Sequence, residues 1–313
     1  MNPYANQSDS DSDCGSGYRQ CTTWKINPQR VIEIGHPFLM GILNATPDSF
    51  SDGGELDSVK AGVERARRMV DEGADGLDIG GESTRPGAER VSVTEQIDRV
   101  VPMVDGIRKA GIDLVISVDT TRSEVAKAAL DVGADAINDV SAGQEDEGMF
   151  SLAADRGCGL ILMHRVLAPD QDQYSDEYSG QNQARPIEHD AVGRVIAELG
   201  ARRDLAVEAG VERGCIVLDP GLGFGKDVGQ NMELIRRTDE LATLGHVVMS
   251  GLSRKSFVGR VSLGRDSEPS ERLAGTLGLS VMHMLAGARI FRVHDVGAHR
   301  EALVSAWASM GVK

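Results

Sequence analysis

No apolar run in this 313-residue chain approaches the ~18 residues that a membrane-spanning helix requires. It does not open on a cationic segment followed by an apolar stretch, so no signal peptide is expected. Cysteine is scarce. Cys14, Cys21, Cys158 and Cys215 are scattered without a C-x-x-C pair, and neither a zinc site nor a disulfide framework is indicated. A reducing, cytoplasmic setting is the expectation. Basic residues are the scarcer charge, 33 Lys and Arg against 48 Asp and Glu, for a net charge of −15. A general nucleic-acid or anionic-membrane binder needs a cationic footprint, which this balance disfavours. An anionic small molecule stays compatible if a few cations are focused locally.

What is present is globular in kind, with 41% hydrophobic and 26% charged residues, which excludes wholesale disorder. Residues 1–23 are the exception. They are rich in Ser, Asp and Gly and aperiodic, and are expected to form a disordered, inert tail. From Trp24 to Lys313 no break in composition separates two domains. Residues 31–39 read as a short hairpin turning at Gly35-His36-Pro37.

Beyond that, one pattern recurs eight times: a short apolar run, a polar loop, an amphipathic helix. The runs are 39–44, 76–81, 114–119, 136–140, 159–164, 216–221, 246–253 and 289–295. Continuous rather than alternating apolar character indicates strands covered on both faces, as in parallel sheets. Helical spacing joins Val59, Val63, Ala66, Met69 and Val70, then Ile97, Val100, Val101, Val104 and Ile107, then Val192, Val195, Ile196 and Leu199. Leu273, Leu277, Val281, Met284 and Leu285 form a fourth such face, with Met282 beside it at a core or interface position. Ser92–Glu95 and Thr121–Glu124 read as capping boxes. Pro102 implies a kink or an early break. Gly73, Gly133 and Gly287 each precede an Ala at a helix exit and suit the left-handed C-cap. Eight such units in one chain predict an α/β fold, a single (β/α)8 TIM barrel with the hairpin and tail in front of it. An open doubly wound sheet is the alternative.

A barrel gathers the carboxyl ends of its strands into one ring, where active sites sit. Every end here carries a polar side chain: Asn44, Glu82 to Arg85, Asp119, Asn138, His164, Asp219, Ser253-Arg254-Lys255, and Arg292 with His294. Asp119, Asn138 and Asp219 suit a flat heterocycle with several N–H and ring-nitrogen positions. Arg85, Lys255, Arg292 and His294 form a cationic set, and cations after the seventh and eighth strands match the phosphate corner of such barrels. Arg254 is either a surface charge or an ion-pair partner. Glu82 is either a general base or a structural acceptor, and Asp295 reads as a helix N-cap. Gly221 to Lys226 lacks the spacing of a nucleotide P-loop. Its glycines suit a tight turn beside a ligand, with Phe224 as an apolar wall. The long polar segment 165–188 follows the fifth run and lies on the active-site side.

Seven segments in order resemble the dihydropteroate synthase family: residues 40–54, 78–87, Ser117-Val-Asp-Thr120, Ile137-Asn-Asp-Val140, 218–226, Ser253-Arg-Lys-Ser-Phe257 and Arg292-Val-His-Asp295. The resemblance implies a transferase of folate biosynthesis that joins 6-hydroxymethyl-7,8-dihydropterin pyrophosphate to p-aminobenzoate. It implies that Asp119, Asn138, Asp219 and Lys255 hold the pterin, with Met163 against the ring and Arg292 stacked over it. Arg292, Asn44, His294 and Arg85 would hold the pyrophosphate, and Asn44 would ligate Mg²⁺ through its side-chain oxygen. Phe50, Thr84, Pro86, Phe224, Ser253 and Lys255 would surround p-aminobenzoate. Asp52, or else Asp48, would face the developing cation. A homodimer through the late helices is implied too. Arg165 departs from the family, where a neutral or apolar residue is expected. The alternative is a pterin-binding, methyltetrahydrofolate-dependent methyltransferase, which needs no pyrophosphate site.

Overall fold

Trp24 and Ile26 alternate with polar neighbours, and this period of two sets the first element. Strand β1 (Thr23–Asn27) pairs antiparallel with β2 (Arg30–Glu33), Trp24 opposite Ile32. In this computed structural model, which describes residues 21–45, 55–83, 88–174 and 190–311, the hairpin therefore forms earlier than the sequence suggested. The chain turns at Pro28-Gln29, where the Asn27 side-chain oxygen accepts from Gln29 N at 2.9 Å. An Asx turn beside a proline with no N–H to satisfy outcompetes Gly35-His36-Pro37. That tripeptide instead links the hairpin to the barrel. Strand β1 opens at Thr23, the last residue of the expected tail; residues 1–20 lie outside the described residues.

Eight parallel strands follow: β3 (Phe38–Asn44), β4 (Gly76–Gly80), β5 (Val115–Asp119), β6 (Ala136–Asp139), β7 (Gly159–Met163), β8 (Ile216–Asp219), β9 (Val247–Ser250) and β10 (Ile290–Val293). They close into a barrel in chain order, β10 returning to β3 with Ile290 opposite Phe38. The eight expected runs are these eight strands, and the open-sheet alternative falls.

The helices are α1 (Glu55–Asp71), α2 (Val93–Lys109), α3 (Ser123–Asp131), α4 (Gly148–Arg156), α5 (Ala191–Glu208), α6 (Val228–Arg236), α7 (Thr238–Ala242), α8 (Ser256–Leu263), α9 (Leu273–Leu285) and α10 (Val296–Ser309). Their apolar faces pack on the outward side chains of the strands. Helix α2 runs through Pro102 without a break. Ser92 caps it by accepting from Glu95 N at 3.2 Å. Thr121 caps nothing: Arg122 stands at the cap of α3, and the Thr121 hydroxyl donates to Glu145 at 2.7 Å. The exits repeat as expected. Gly73, Gly133 and Gly287 all have positive φ, and Asp75 and Asp135 follow two of them. Each aspartate accepts the N–H of the second residue of a neighbouring strand, Leu39 N at 2.8 Å and Ile116 N at 2.9 Å.

Inside the barrel the lower layers are apolar. Met40, Val115, Ala136, Ile161, Val217, Val247, Met249 and Ile290 meet Trp24, Ile26, Ile34 and Phe38 from the hairpin side. Trp24 donates from Nε1 to the Cys215 carbonyl at 2.9 Å. A Cβ at Gly159 would lie 2.8 Å from the indole, so only glycine fits there. The hairpin thus plugs the amino end, and the polar chemistry is confined to the carboxyl end.

Candidate active site

The inward positions of the last strand turns carry the charge. Asp119 ends β5, Asn138 lies in β6, Asp219 ends β8 and Arg292 lies in β10, all converging on the barrel mouth. Arg292 donates from Nη2 to Asp119 at 2.6 Å and from Nε to Asp78. Asp119 is pushed up to about 7 by burial, against the pull of Arg292, with Asp78 adding to the rise. Burial works against the charge on Arg292, but Asp78 and Asp119 outweigh it and hold its pKa above the ordinary value. Asp219 is raised by burial; Lys255 and an N–H from Gly221 at 2.7 Å oppose that.

Asp78 is a member of this site that the strand-end rule missed. It sits mid-strand, fully buried, opposite Ser117 in the ladder. The available signal was a carboxylate inside a run otherwise buried on both faces, since unpaired Asp is almost never fully buried.

Lys255 precedes α8 and points into the mouth. Its Nζ donates to the Leu222 carbonyl and lies 4.0 Å from the Phe224 ring centroid. Burial lowers its pKa to about 7, with Asp219 opposing. Gly223, at φ +83°, gives it room: a Cβ there would stand 2.7 Å from Lys255 Cδ. Phe224 packs with Val140 and Met163 as a small apolar wall. Ser253 Oγ and His294 Nδ1 are 3.0 Å apart, and His294 N donates to Ser253 Oγ at 3.2 Å. Arg65, from α1, donates to the His294 carbonyl at 3.1 Å, a contact the sequence did not announce. Asn44 ends β3 opposite Gly80 and is half-buried at the rim.

The remaining polar groups have structural partners. Arg254 is an ion-pair partner: its guanidinium grips the Asp295 carboxylate through Nε at 2.8 Å and through Nη2. Asp295 stands at the cap position of α10, but its side chain makes no cap bond because Arg254 holds it. Glu82 accepts from Val91 N at 2.7 Å, so it is fixed as a structural acceptor. Lys226 is fully buried and donates to the carbonyls of Gly221, Phe224 and His164 at 2.8, 2.9 and 3.3 Å. It ties the glycine turn shut. Arg165, which departs from the resemblance, is buried against Glu145. Phe50, Asp48, Asp52, Thr84, Arg85 and Pro86 lie outside the described residues, as does most of the segment 165–188.

Among the described residues no cluster of three or more His, Cys, Asp or Glu side chains could hold a metal ion. Mg²⁺ does not require one. It keeps several waters and takes one or two protein oxygens plus substrate phosphates. A single rim amide oxygen such as that of Asn44, half-buried at the end of β3, fits that donor set.

Set against known proteins, residues 40–294 match the family model described as pterin binding enzyme. The dihydropteroate synthase of Streptococcus pyogenes serotype M3 is 43% identical over 271 residues, 87% of this chain and 94% of the relative. That of Synechocystis sp. is 42% identical over 261 residues, 83% of this chain and 86% of the relative. Among solved structures, Xanthomonas albilineans dihydropteroate synthase with 4-aminobenzoic acid superposes with a TM-score of 0.81 at 38% identity, covering 93% of this chain and 99% of that one. The Xanthomonas albilineans enzyme in complex with 7,8-dihydropteroate gives 0.78 at 36% identity, covering 92% and 99%.

Proposed function

The chain belongs to the dihydropteroate synthase family of pterin-binding transferases, and from that premise we propose how its barrel mouth joins 6-hydroxymethyl-7,8-dihydropterin pyrophosphate to p-aminobenzoate. One observation carries the reading. Acceptors for a heterocycle (Asp119, Asn138, Asp219) and cations for an anion (Lys255, Arg292) line the same opening, within one hydrogen-bonded and ion-paired set.

The two carboxylates and Asn138 accept from the pterin N–H edge, Lys255 donates to a ring acceptor, and Met163 and Arg292 cover the faces. Asn44, His294, Arg292 and Arg85 hold the pyrophosphate. Asn44 would ligate Mg²⁺, which when bound neutralises charge on the leaving group. Phe224, Ser253 and Lys255, with Phe50, Thr84 and Pro86, surround p-aminobenzoate. The pterin methylene C–O bond breaks and its electron pair leaves with pyrophosphate. Asp52 or Asp48 faces the resulting cation. The aniline nitrogen then attacks the methylene carbon and loses a proton, giving 7,8-dihydropteroate. An aromatic amine is already unprotonated at neutral pH, so fixed charges opposite the departing diphosphate matter more than a strong base.

We further propose a cytoplasmic homodimer. No described helix is long and apolar enough to cross a membrane. Helix α9 exposes Ala274, Gly278, Met282 and Leu285 along one stripe. Leu285, grouped with the core face by periodicity, is 49% exposed, and Met282 is 52% exposed. A helix apolar on both sides is normally covered on both. The expected boundary between residues 23 and 24 moves back, because Thr23 opens β1 and Thr22 O accepts from Ile34 N; in this reading one barrel domain starts there and the residues before it are an inert extension. The methyltransferase alternative has no use for the corner built by Ser253, His294 and Arg65.

The test is a coupled assay with dihydropterin pyrophosphate, p-aminobenzoate and Mg²⁺, following pyrophosphate and dihydropteroate together. Folded protein that forms neither product defeats the reading, and Lys255→Ala retaining near wild-type rate defeats the site assignment.

A further inference from the structure

Asp78 has no role in the scheme above, yet its carboxylate gathers three side chains. Oδ2 accepts from Arg292 Nε and from Asn138 Nδ2, the latter at 3.1 Å. Oδ1 accepts from Ser117 Oγ at 2.5 Å. Two of these partners, Arg292 and Asn138, are read here as pterin contacts.

The consequence for Asn138 is one of orientation. A side-chain amide has a donor end and an acceptor end, and an ionised carboxylate can only accept. By taking Nδ2, Asp78 fixes the amide and leaves Oδ1 as the end that meets a ligand N–H. The consequence for Arg292 is one of exchange. Its fork spans two carboxylates, Asp78 through Nε and Asp119 through Nη2. The ladder places Asp78 opposite Ser117 and Gly80 opposite Asp119, so Asp78 lies one layer deeper in the barrel. A pterin whose N–H edge takes Asp119 shares that carboxylate with Arg292 Nη2 and weakens its hold. Asp78, fully buried in the layer beneath, keeps Nε.

We propose that Asp78 is a positioning residue of the pterin site, the fixed anchor that holds Arg292 and Asn138 in place while Asp119 is shared between Arg292 and the pterin ring. The inference rests on the reading of Asp119, Asn138 and Arg292 as pterin contacts. Without the Asp78 charge, Arg292 has Asp119 as its sole remaining carboxylate partner of this pair and competes with the ligand for it.

The experiment is titration of 7,8-dihydropteroate into wild type and Asp78→Asn, with steady-state KM for both substrates and thermal melting of each protein. Loss of one charge-assisted bond should weaken dihydropteroate binding about tenfold and raise the pterin-substrate KM similarly. The KM for p-aminobenzoate should stay within about twofold, because neither Arg292 nor Asn138 is among its proposed contacts. Asp78→Asn combined with Arg292→Gln should weaken binding by less than the product of the two single effects, since one residue acts through the other. Ser117→Ala loosens the same anchor while keeping its charge, and should raise the pterin KM about threefold. A folded Asp78→Asn or Ser117→Ala protein with unchanged pterin binding overturns the inference. So does a fully multiplicative double variant, or an equal rise in both KM values. Asp119→Asn separates the two levels: wild-type pterin binding in that variant overturns the site reading itself, whereas loss there with none in Asp78→Asn overturns the anchor alone.

Discussion

The Lys255 ammonium stands 4.0 Å from the centroid of the Phe224 ring while donating to the Leu222 carbonyl. One loop, Gly221 to Lys226, therefore supplies both the aromatic face and the carbonyl that hold this cation at the mouth. The pairing matters because burial disfavours the charged form of Lys255, and the ring is one of the groups facing it.

Replacing Phe224 by Leu keeps an apolar wall against Val140 and Met163 but removes the π face. A cation–π contact of about 0.5–2 kcal/mol corresponds to roughly a 2- to 30-fold effect. The expected result is a rise of that size in the KM for p-aminobenzoate, with little change in thermal stability. Steady-state kinetics with the arylamine varied at saturating pterin substrate is the measurement.

Asp119 and Lys255 set the pH dependence. Asp119 is a charged, two-oxygen acceptor for pterin N–H only when ionised, and burial raises it to about 7. Lys255 donates as a cation only when protonated, and burial lowers it to about 7. Activity should thus rise as Asp119 loses its proton and fall as Lys255 loses its own, giving a narrow bell for kcat/KM centred near neutrality. Because the two groups feel each other, the limbs belong to the coupled set rather than to either residue. Lys255→Arg should abolish the alkaline limb and leave the acid limb in place; a profile flat from pH 5 to 9 in wild type would contradict the scheme.

Lys226 stabilises the glycine turn. Lys226→Met leaves the carbonyls of Gly221, Phe224 and His164 without their donor, an expected loss of about 2–4 kcal/mol. Burial lowers the folded pKa to about 7, against 10.5 as the ordinary value. The unfolded chain therefore holds this proton more tightly from about pH 7 to 10, so wild-type stability gains with rising pH across that window. The methionine variant lacks that gain, and the gap between the two should be wider at pH 9 than at pH 7 in urea denaturation.

How much of this was legible in the sequence follows from what each signal depends on. The eight strands could be read because each is an apolar run covered on both faces, and the helix exits because Gly73, Gly133 and Gly287 require positive φ. Asp119, Asn138, Asp219, Lys255 and Arg292 could be read because they stand at strand ends, where a barrel must converge. Asp78 could not be found that way, since its partners Ser117, Asn138 and Arg292 lie 39, 60 and 214 residues away. Thr121 misled for the opposite reason, whereas Asp295 does stand at the α10 cap but makes no side-chain cap bond. Their local cap signals were outcompeted by Glu145 and Arg254, which only the closed barrel brings near.

Glu145 shows what Arg165 is for. Its carboxylate receives Arg90 through two nitrogens, at 3.0 and 2.5 Å, together with Thr121 at 2.7 Å and Arg165. These partners come from the loops after β4, β5 and β7, so a single carboxylate ties the rims of four consecutive loops, its own included. Burial alone would raise Glu145, but Arg90, Thr121 and Arg165 outweigh it and hold it down to about 2. Glu145→Gln leaves the buried Arg165 guanidinium without its anion, at an expected cost of about 3 kcal/mol near pH 7. A depressed carboxylate contributes its stability above the unfolded pKa and loses it as pH falls toward the folded one. The deficit of the variant, read as the difference in melting temperature, should accordingly be full at pH 6 and shrink steadily between about pH 4.5 and 2. A deficit that stays constant over that range would show that Glu145 acts by shape and hydrogen bonding, and that the charge of Arg165 is balanced elsewhere.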